Sequence, residues 1–316
     1  MDKHVFLCET ESEYEALVYE TPHVALTEDD DIVHYDEEQP TYKFLDILWN
    51  DGKITPEIRE PEGDLAPVAI CVIPTGYLGK GEKARFMSLS YVGRTNGANE
   101  PINISWGPDS PSDNDPLADM YTDLICKNIN DPSVDLTSGS FVWSLPNNTW
   151  PDLRYNEEGT AWKNAQQYLY DPEKKYLMGD IDGKGNTKRI MEALDFANNS
   201  NYAFVNLKKF NPYSLDIEWY IPAAGELLNM LFNTGHDNYV LDGDKFSEGS
   251  LCDIMKKINA KYPSKSVSKV YNGYNHWSSS PMSAIRAADF YCNDNICGEG
   301  FYYRYTSSSV LAFTQL

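Results

Sequence analysis

Basic residues and histidine are scarce in this chain of 316 residues. Its 26 Lys+Arg face 48 Asp+Glu, a formal charge of −22 with a pI near 4.5. That balance argues against nucleic-acid binding, which needs clustered cations to neutralise phosphates. The five histidines (His4, His23, His34, His236, His276) are isolated, and none has a nearby cysteine or serine in a nucleophile setting. Six cysteines are scattered, and only Cys292 and Cys297 are close, spaced C-x4-C without a second pair or a nearby histidine. That spacing fits neither a structural zinc site nor the dense framework of a small disulfide-stapled fold. No apolar run approaches the length that crosses a bilayer, so no membrane role is expected. The start, Met1–Glu20, lacks the basic and apolar regions of a signal peptide. Synthesis in the cytosol is therefore expected. Repeats and low-complexity tracts are absent.

Acid and tyrosine are what the chain has in surplus. Residues 1–64 hold 19 acidic and 4 basic residues, so about 15 of the 22 excess negative charges lie there. Such a block is a solvated arm or face, or a docking segment for a basic partner. Aromatics reach 13%, with 22 tyrosines. Tyrosine tolerates a wet edge, so its surplus points to β-rich structure or to an interaction surface.

In chain order, 4–7 reads as a short strand and Glu11–Tyr19 as one amphipathic helix. His23–Leu26 and Ile32–Tyr35 flank an acidic turn and read as a hairpin, expected to pair with another chain or with a Tyr42–Leu48 strand. Glu57–Asp64 reads as a linker, which places a boundary after residue 64. Beyond it, Pro67–Pro74 is a continuous apolar strand, Arg85–Val92 another and Asn103–Trp106 a third. The stretch 107–116 is loop by composition. Leu117–Ile129 and Thr160–Tyr170 read as helices. A polar turn at 179–187 leads to a helix through Ala197, capped by Asn186 or Thr187. The expected class is α+β.

Two later pieces organise the rest. In Asp216–Phe232, Trp219–Ile221 reads as a strand, Pro222 opens a helix and Glu226 sits in its first turn, where the dipole favours an acid. Leu227, Leu228, Leu231 and Phe232 continue as its apolar stripe. His276–Leu316 is rich in Ser, Asn, Gly and Tyr and reads as strands with long irregular connections. The serine runs 278–280 and 307–309 read as side chains bonding backbone in tight irregular turns. Two stretches imitate calcium ligands. Asp180–Gly185 resembles a calcium loop, but Lys184 and Met191 occupy the positions that should be acidic or amide. Trp49-Asn50-Asp51 matches a lectin tripeptide without its companion Glu-Pro-Asn. Both read as structural, and no metal or other cofactor is expected.

Trp219–Leu227 (WYIPAAGEL), followed by His276–Ser280 (HWSSS) and an aromatic C-terminal strand, resembles the Lcl C-terminal domain family. That family shows a "WYLPSxGEL … YWSSS" signature and occurs in gut bacteriophage virion proteins and Bacteroidales surface proteins. Asp182–Glu192 matches the "DGKxNT" turn-helix before the signature. Val68–Thr75 with Arg85–Leu89 is similar to its "IPTS…RIMSL" region. The resemblance covers about residues 66–316. It implies a C-type-lectin-like fold of the formylglycine-generating-enzyme group, with short twisted antiparallel strands, a few helices and long irregular loops. A small β-rich N-terminal segment precedes it. The collagen-like stalk of the adhesin that named the family is absent, and the Cys292/Cys297 context does not match a formylglycine-generating cysteine pair. Binding or assembly is implied rather than catalysis, with no catalytic residues.

The expected division is therefore 1–64, an acidic docking or oligomerisation segment, and 65–316, the lectin-like domain. Trp219, Pro222, Glu226, Trp277 and Ser278 are expected to form scaffold. Arg286, Tyr291, Asn293, Asp294, Asn295, Tyr302 and Arg304 are the expected ligand or receptor contacts, because tyrosine gives contact area and Asn adapts its hydrogen bonds. Strand alternation should put Tyr303 and Tyr305 on the opposite side from Tyr302 and Arg304. The expected role is a virion component, a head or tail fibre or a capsid decoration. Its partners would be other virion proteins, a host-surface glycan or protein, and further copies of itself. The alternative is a bacterial cell-surface adhesin.

Overall fold

A continuous apolar strand without alternation needs cover on both faces. Pro67–Ile73 (PVAICVI) has it, since all seven of its residues are buried. The structure, a computed structural model, describes residues 40–78, 81–93, 103–108, 115–121, 180–194, 201–232, 249–263, 265, 275–292 and 297–316. It also describes the short strands at 6–7, 25–26, 32–33 and 143–144. In these short strands, and at 231–232, 291–292 and 297–301, only the backbone is described. The chain divides into two units, Met1–Thr41 and Tyr42–Leu316.

In the first unit β1 (Phe6–Leu7), β2 (Ala25–Leu26) and β3 (Ile32–Val33) form one sheet. The expected hairpin forms, with Ala25 opposite Val33 and Leu26 opposite Ile32. Among the described residues β2 also pairs with β1, in parallel. The expected helix Glu11–Tyr19 lies outside the described residues.

The second unit contains β4 (Ile47–Trp49), β5 (Ile54–Thr55), β6 (Pro67–Ile73), β7 (Arg85–Tyr91), β8 (Ile104–Ser105) and β9 (Trp143–Ser144). Its described helices are α1 (Ala118–Tyr121), which precedes β9, and α2 (Gly183–Ala193), α3 (Ala203–Leu207), α4 (Ala224–Phe232) and α5 (Leu251–Lys261), which follow it. The strands β10 (Asn275–Ser283), β11 (Arg286–Cys292), β12 (Cys297–Tyr303), β13 (Ser307–Ser308) and β14 (Leu311–Gln315) complete it. Helices and antiparallel sheets thus mix as α+β. The central sheet has the order β14-β7-β6-β4-β5, and a second has β10-β11-β12-β9.

The boundary expected after residue 64 moves to residue 41. Ile47 pairs with Ile70 and Leu48 with Ala69, so β4 is an inner strand of the central sheet. The supposed linker is tied down as well. Lys261 Nζ reaches the Ile58 carbonyl and Glu60, and the Tyr262 hydroxyl donates to the Arg59 carbonyl.

Alternation along the central strands feeds two cores. Ile70, Val72, Met87, Leu89, Tyr91, Leu311 and Phe313 pack with Leu227 and Leu228 of α4 and with Leu251, Met255 and Ile258 of α5. Ala69, Cys71, Phe86 and Ala312 pack into a second cluster with Trp106, Ile190, Phe204, Ile221 and Trp277.

Some local expectations shift. The helix expected from Asn186 or Thr187 begins at Gly183, because the Asp182 side chain caps it by accepting from Gly185 N at 2.9 Å. Of Leu117–Ile129 only residues 117–121 are described, with α1 at Ala118–Tyr121, and Thr160–Tyr170 lies outside the described residues. Trp219–Ile221 is reduced to one bridge, Tyr220 to Phe313. No helix among the described residues is long and apolar enough to cross a membrane.

Candidate functional site

Two local networks carry the geometry, a buried joint and an exposed hairpin end. The joint unites the two pieces that stand out in the sequence. Glu226, in the first turn of α4, accepts from Ala223 N at 2.9 Å, from the Tyr220 hydroxyl at 2.9 Å and from Arg85 Nε at 3.0 Å. Burial pushes its carboxyl up to about 7, while Arg85 and the other donors pull it down. Ser279 N donates to the Pro222 carbonyl at 2.8 Å, and Ala224 N donates to Ser280 Oγ at 2.8 Å. Ser280 Oγ donates onward to Asp180 at 2.7 Å, which also accepts from Asn186 at 2.6 Å. Trp277 Nε1 donates to the Ile104 carbonyl, and Trp106 Nε1 to the Ser278 carbonyl. Trp219 packs edge-on against Phe210. Trp219, Pro222, Glu226, Trp277 and Ser278 are all buried in this joint. The first serine run lies in strand β10, with a register shift between Trp277 and Pro281, rather than in a turn. There Ser278 Oγ donates to the Ala288 carbonyl at 2.8 Å. The calcium-like aspartates serve the same joint, Asp180 as an acceptor and Asp182 as a cap.

Asn50 and Asp51 are likewise structural. Asn50 bonds the Asp64 carbonyl and Ala66 N, and Asp51 is held by Arg59 at 2.8 Å. Among the described residues no group of three or more His, Cys, Asp or Glu could hold a metal ion.

The hairpin β11–β12 places Arg286 directly opposite Tyr303. Its guanidinium lies over the Tyr303 ring, 4.9 Å from the centroid. Tyr303 in turn stacks on Tyr305, with centroids 5.2 Å apart and planes 15° apart. These rings are 37% and 59% exposed, and the neighbouring Ile285 is 40% exposed.

The cluster is braced from beneath. Arg304 is 0% exposed. It pairs with Asp115 at 3.2 Å, donates to the Ser283 carbonyl at 2.7 Å and stacks over Trp106 at 4.7 Å. Its own backbone N–H holds the Ile285 carbonyl, and its carbonyl accepts from Trp106 N. Thr306 N donates to the Tyr303 carbonyl and Ser105 Oγ to that of Tyr305. Both ends of the exposed cluster are therefore fixed by backbone bonds, a preorganised surface.

Of the expected contact residues, Arg286 stands in this cluster. Arg304 is corrected, since it lies under the surface as the brace and not on it. Tyr302 is half-buried and packs against the second core cluster. Tyr291 lies in β11, opposite Asn275 and Gly298. Asn293, Asp294 and Asn295 lie outside the described residues. Tyr303, Tyr305 and Ile285 are surface groups outside the expected contacts, although strand alternation separates Tyr303 and Tyr305 from Tyr302 and Arg304. Asp115 and Trp106 had no signal, because their partner Arg304 is far away in sequence.

No family model matches the sequence, and no curated protein matches it. Among solved structures, the chain is similar to a fimbrial protein from Bacteroides ovatus ATCC 8483, at 12% identity and a TM-score of 0.38. The match covers 92% of this chain and 52% of that one, so the chain spans about half of that protein's length. At that identity and score the likeness assigns neither fold nor function.

Proposed function

We propose that the chain is a bacteriophage virion structural protein, a fibre or capsid-decoration component. In this reading residues 42–316 form an outward C-type-lectin-like binding domain, and residues 1–41 dock to the particle or to a sister chain. The virion location rests on the sequence resemblance. The binding role is carried by one observation, the braced hairpin end where Tyr303 and Tyr305 stand exposed beside the half-buried Arg286 on fixed backbone. Tyr and Arg are the side chains that dominate binding hot spots, and their rigidity spares the entropy cost of ordering. The docking role is supported by charge. Residues 1–41 contain 13 acidic residues and one lysine, a composition that suits a basic partner surface. Self-association in a symmetric assembly accompanies this reading, as is usual for fibres.

The test expresses the full chain and a form lacking residues 1–41 during particle production, followed by quantitative mass spectrometry of purified particles. The full chain should co-purify with particles and the shortened chain should remain in the soluble fraction. Incorporation of the shortened chain would contradict the docking assignment. Absence of the full chain from particles would contradict the virion assignment.

A further inference from the structure

Of the six cysteines, Cys71 and Cys252 are buried, one in β6 and the other in α5. Cys292 and Cys297 stand apart from them. Cys292 ends β11, Cys297 opens β12, and the hairpin register sets the two directly opposite each other. That register runs without a shift over seven pairs, from Arg286 opposite Tyr303 to Cys292 opposite Cys297. Spacing in the sequence puts the two cysteines within reach of each other, and the ladder makes them cross-strand partners.

Directly opposite residues of an antiparallel pair share one face of the sheet. Their Cα atoms lie about 4.5 or 5.5 Å apart, according to whether the two residues exchange hydrogen bonds. A disulfide spans about 4.4–6.8 Å between Cα atoms, so either kind of pair can be bridged without moving the backbone. Alternation places Cys292 on the face of Ala288 and Phe290, which belong to the first core cluster.

The pair is also the last of the ladder. Beyond it lies the four-residue connection 293–296, which holds the expected contacts Asn293, Asp294 and Asn295. A bond between the cysteines closes that connection into a ring and limits the conformations open to it. A single staple of this kind needs no framework of further bridges.

We propose that Cys292 and Cys297 form a cross-strand disulfide, with a small disulfide of the glutathione class as oxidant. One cysteine thiolate attacks the oxidant, forming a mixed disulfide and expelling one small thiolate. The other cysteine thiolate attacks the cysteine sulfur of that mixed disulfide, forms the Cys292–Cys297 bond and expels the second small thiolate. Two cysteine thiols thus give up two protons and two electrons, and the oxidant leaves as two thiols. The cytosolic thiol pool keeps such a pair reduced, and an oxidising exterior lets it close. A particle-borne chain is therefore assembled open and displayed closed. That timing rests on the virion reading, whereas the bond itself rests on the register.

The test purifies the full chain in reductant and equilibrates it with mixtures of reduced and oxidised glutathione, either folded or in urea. Remaining thiols are then trapped with iodoacetamide in denaturant, and the chain is digested with trypsin. Both cysteines fall in the single peptide 287–304, between Arg286 and the cut after Arg304. From the folded, oxidised chain this peptide should be lighter by two hydrogen atoms and carry no alkyl group. After reduction it should take up two. The equilibrium constant for closure should be at least about tenfold larger in the folded chain than in urea. Cys292→Ser should instead leave Cys297 as a mixed disulfide with glutathione. The proposal is overturned if the folded chain keeps two alkylatable cysteines in that peptide, if both end as mixed disulfides, or if the bond joins two chains. Equal constants for the folded and urea-unfolded chain overturn it as well. Particle incorporation is measured separately, so a chain that closes the bond but stays out of particles contradicts the virion reading and leaves the disulfide standing.

Discussion

Arg304 and Tyr303 are neighbours in sequence with opposite fates. Strand alternation fixes that they point to opposite sides, but it does not say which side is solvent. Both assignments follow the same period with opposite phase. The phase is set by Trp106 and Asp115, which give an inward guanidinium a stacking face and a counter-charge. Removing the cation alone leaves Asp115 buried without it, so Arg304→Met should cost about 3–5 kcal/mol in urea unfolding. Adding Asp115→Asn to Arg304→Met should recover part of that loss. A double variant no more stable than the single one would contradict the pairing.

Asp289 makes a second prediction at this scale. It accepts from Asn275 Nδ2 at 2.8 Å, and burial pushes its carboxyl up to about 7 against the hydrogen bonds of Asn275 and Ser308. Between its usual value of 3.8 and about 7 the folded chain holds a proton that the unfolded chain has released. The folded state binds more protons there, so this group's contribution is full below pH 3.8 and is lost as pH rises through about 7. The slope from one proton is at most about 1.4 kcal/mol per pH unit. Asp289→Asn should flatten the fall in urea midpoint between pH 5 and 8 relative to the parent. An unchanged profile would contradict the assignment.

Elements were legible where a strong local signal coincided with burial. PVAICVI reads as a doubly covered strand because it is short, bounded by proline and rich in β-branched residues. The composition of His276–Leu316 likewise points to its strands, of which β10 and β14 are buried almost throughout. The start of α2 was misplaced by tertiary contact. Gly183 has no side chain, and a Cβ there would lie 2.3 Å from Glu226 Oε2 and 2.5 Å from Ala223 N. The glycine that looked like a turn residue is therefore the first residue of a helix pressed against the α4 entry. Gly183→Ala should destabilise by about 1–3 kcal/mol or more through overpacking, read as a lower thermal midpoint. A neutral result would place this contact in doubt. Helix α5 was overlooked although its signal was local. Ser250 caps it by accepting from Asp253 N, and Leu251, Met255 and Ile258 follow at helical spacing. The joint between Glu226, Arg85 and Ser280 was legible only as two motifs, because the hydrogen bonds that unite them span long stretches of chain.

For the whole molecule, the boundary at residue 41 has a direct consequence. Removing β4 would expose the Ile70 and Ala69 backbone edge of the central sheet and strip Ile47 and Trp49 from the core. A chain of residues 42–316 should therefore unfold cooperatively with a single transition. A chain of residues 65–316 should be unfolded or aggregated. Equal stability of the two would return the boundary to residue 64. The composition-based reading failed here because Glu57–Asp64 is polar in sequence yet anchored by Lys261 and Tyr262 from α5 and its end.

The central claim is that a particle-borne chain presents the Tyr303–Tyr305 hairpin end to solvent. Labelling intact purified particles carrying Tyr305→Cys with a membrane-impermeant maleimide dye tests both halves at once, with the unsubstituted chain giving the background. Dye on the chain in intact particles, well above that background, is the predicted result. Dye incorporation only after denaturation, or no chain in the particle fraction, would contradict it.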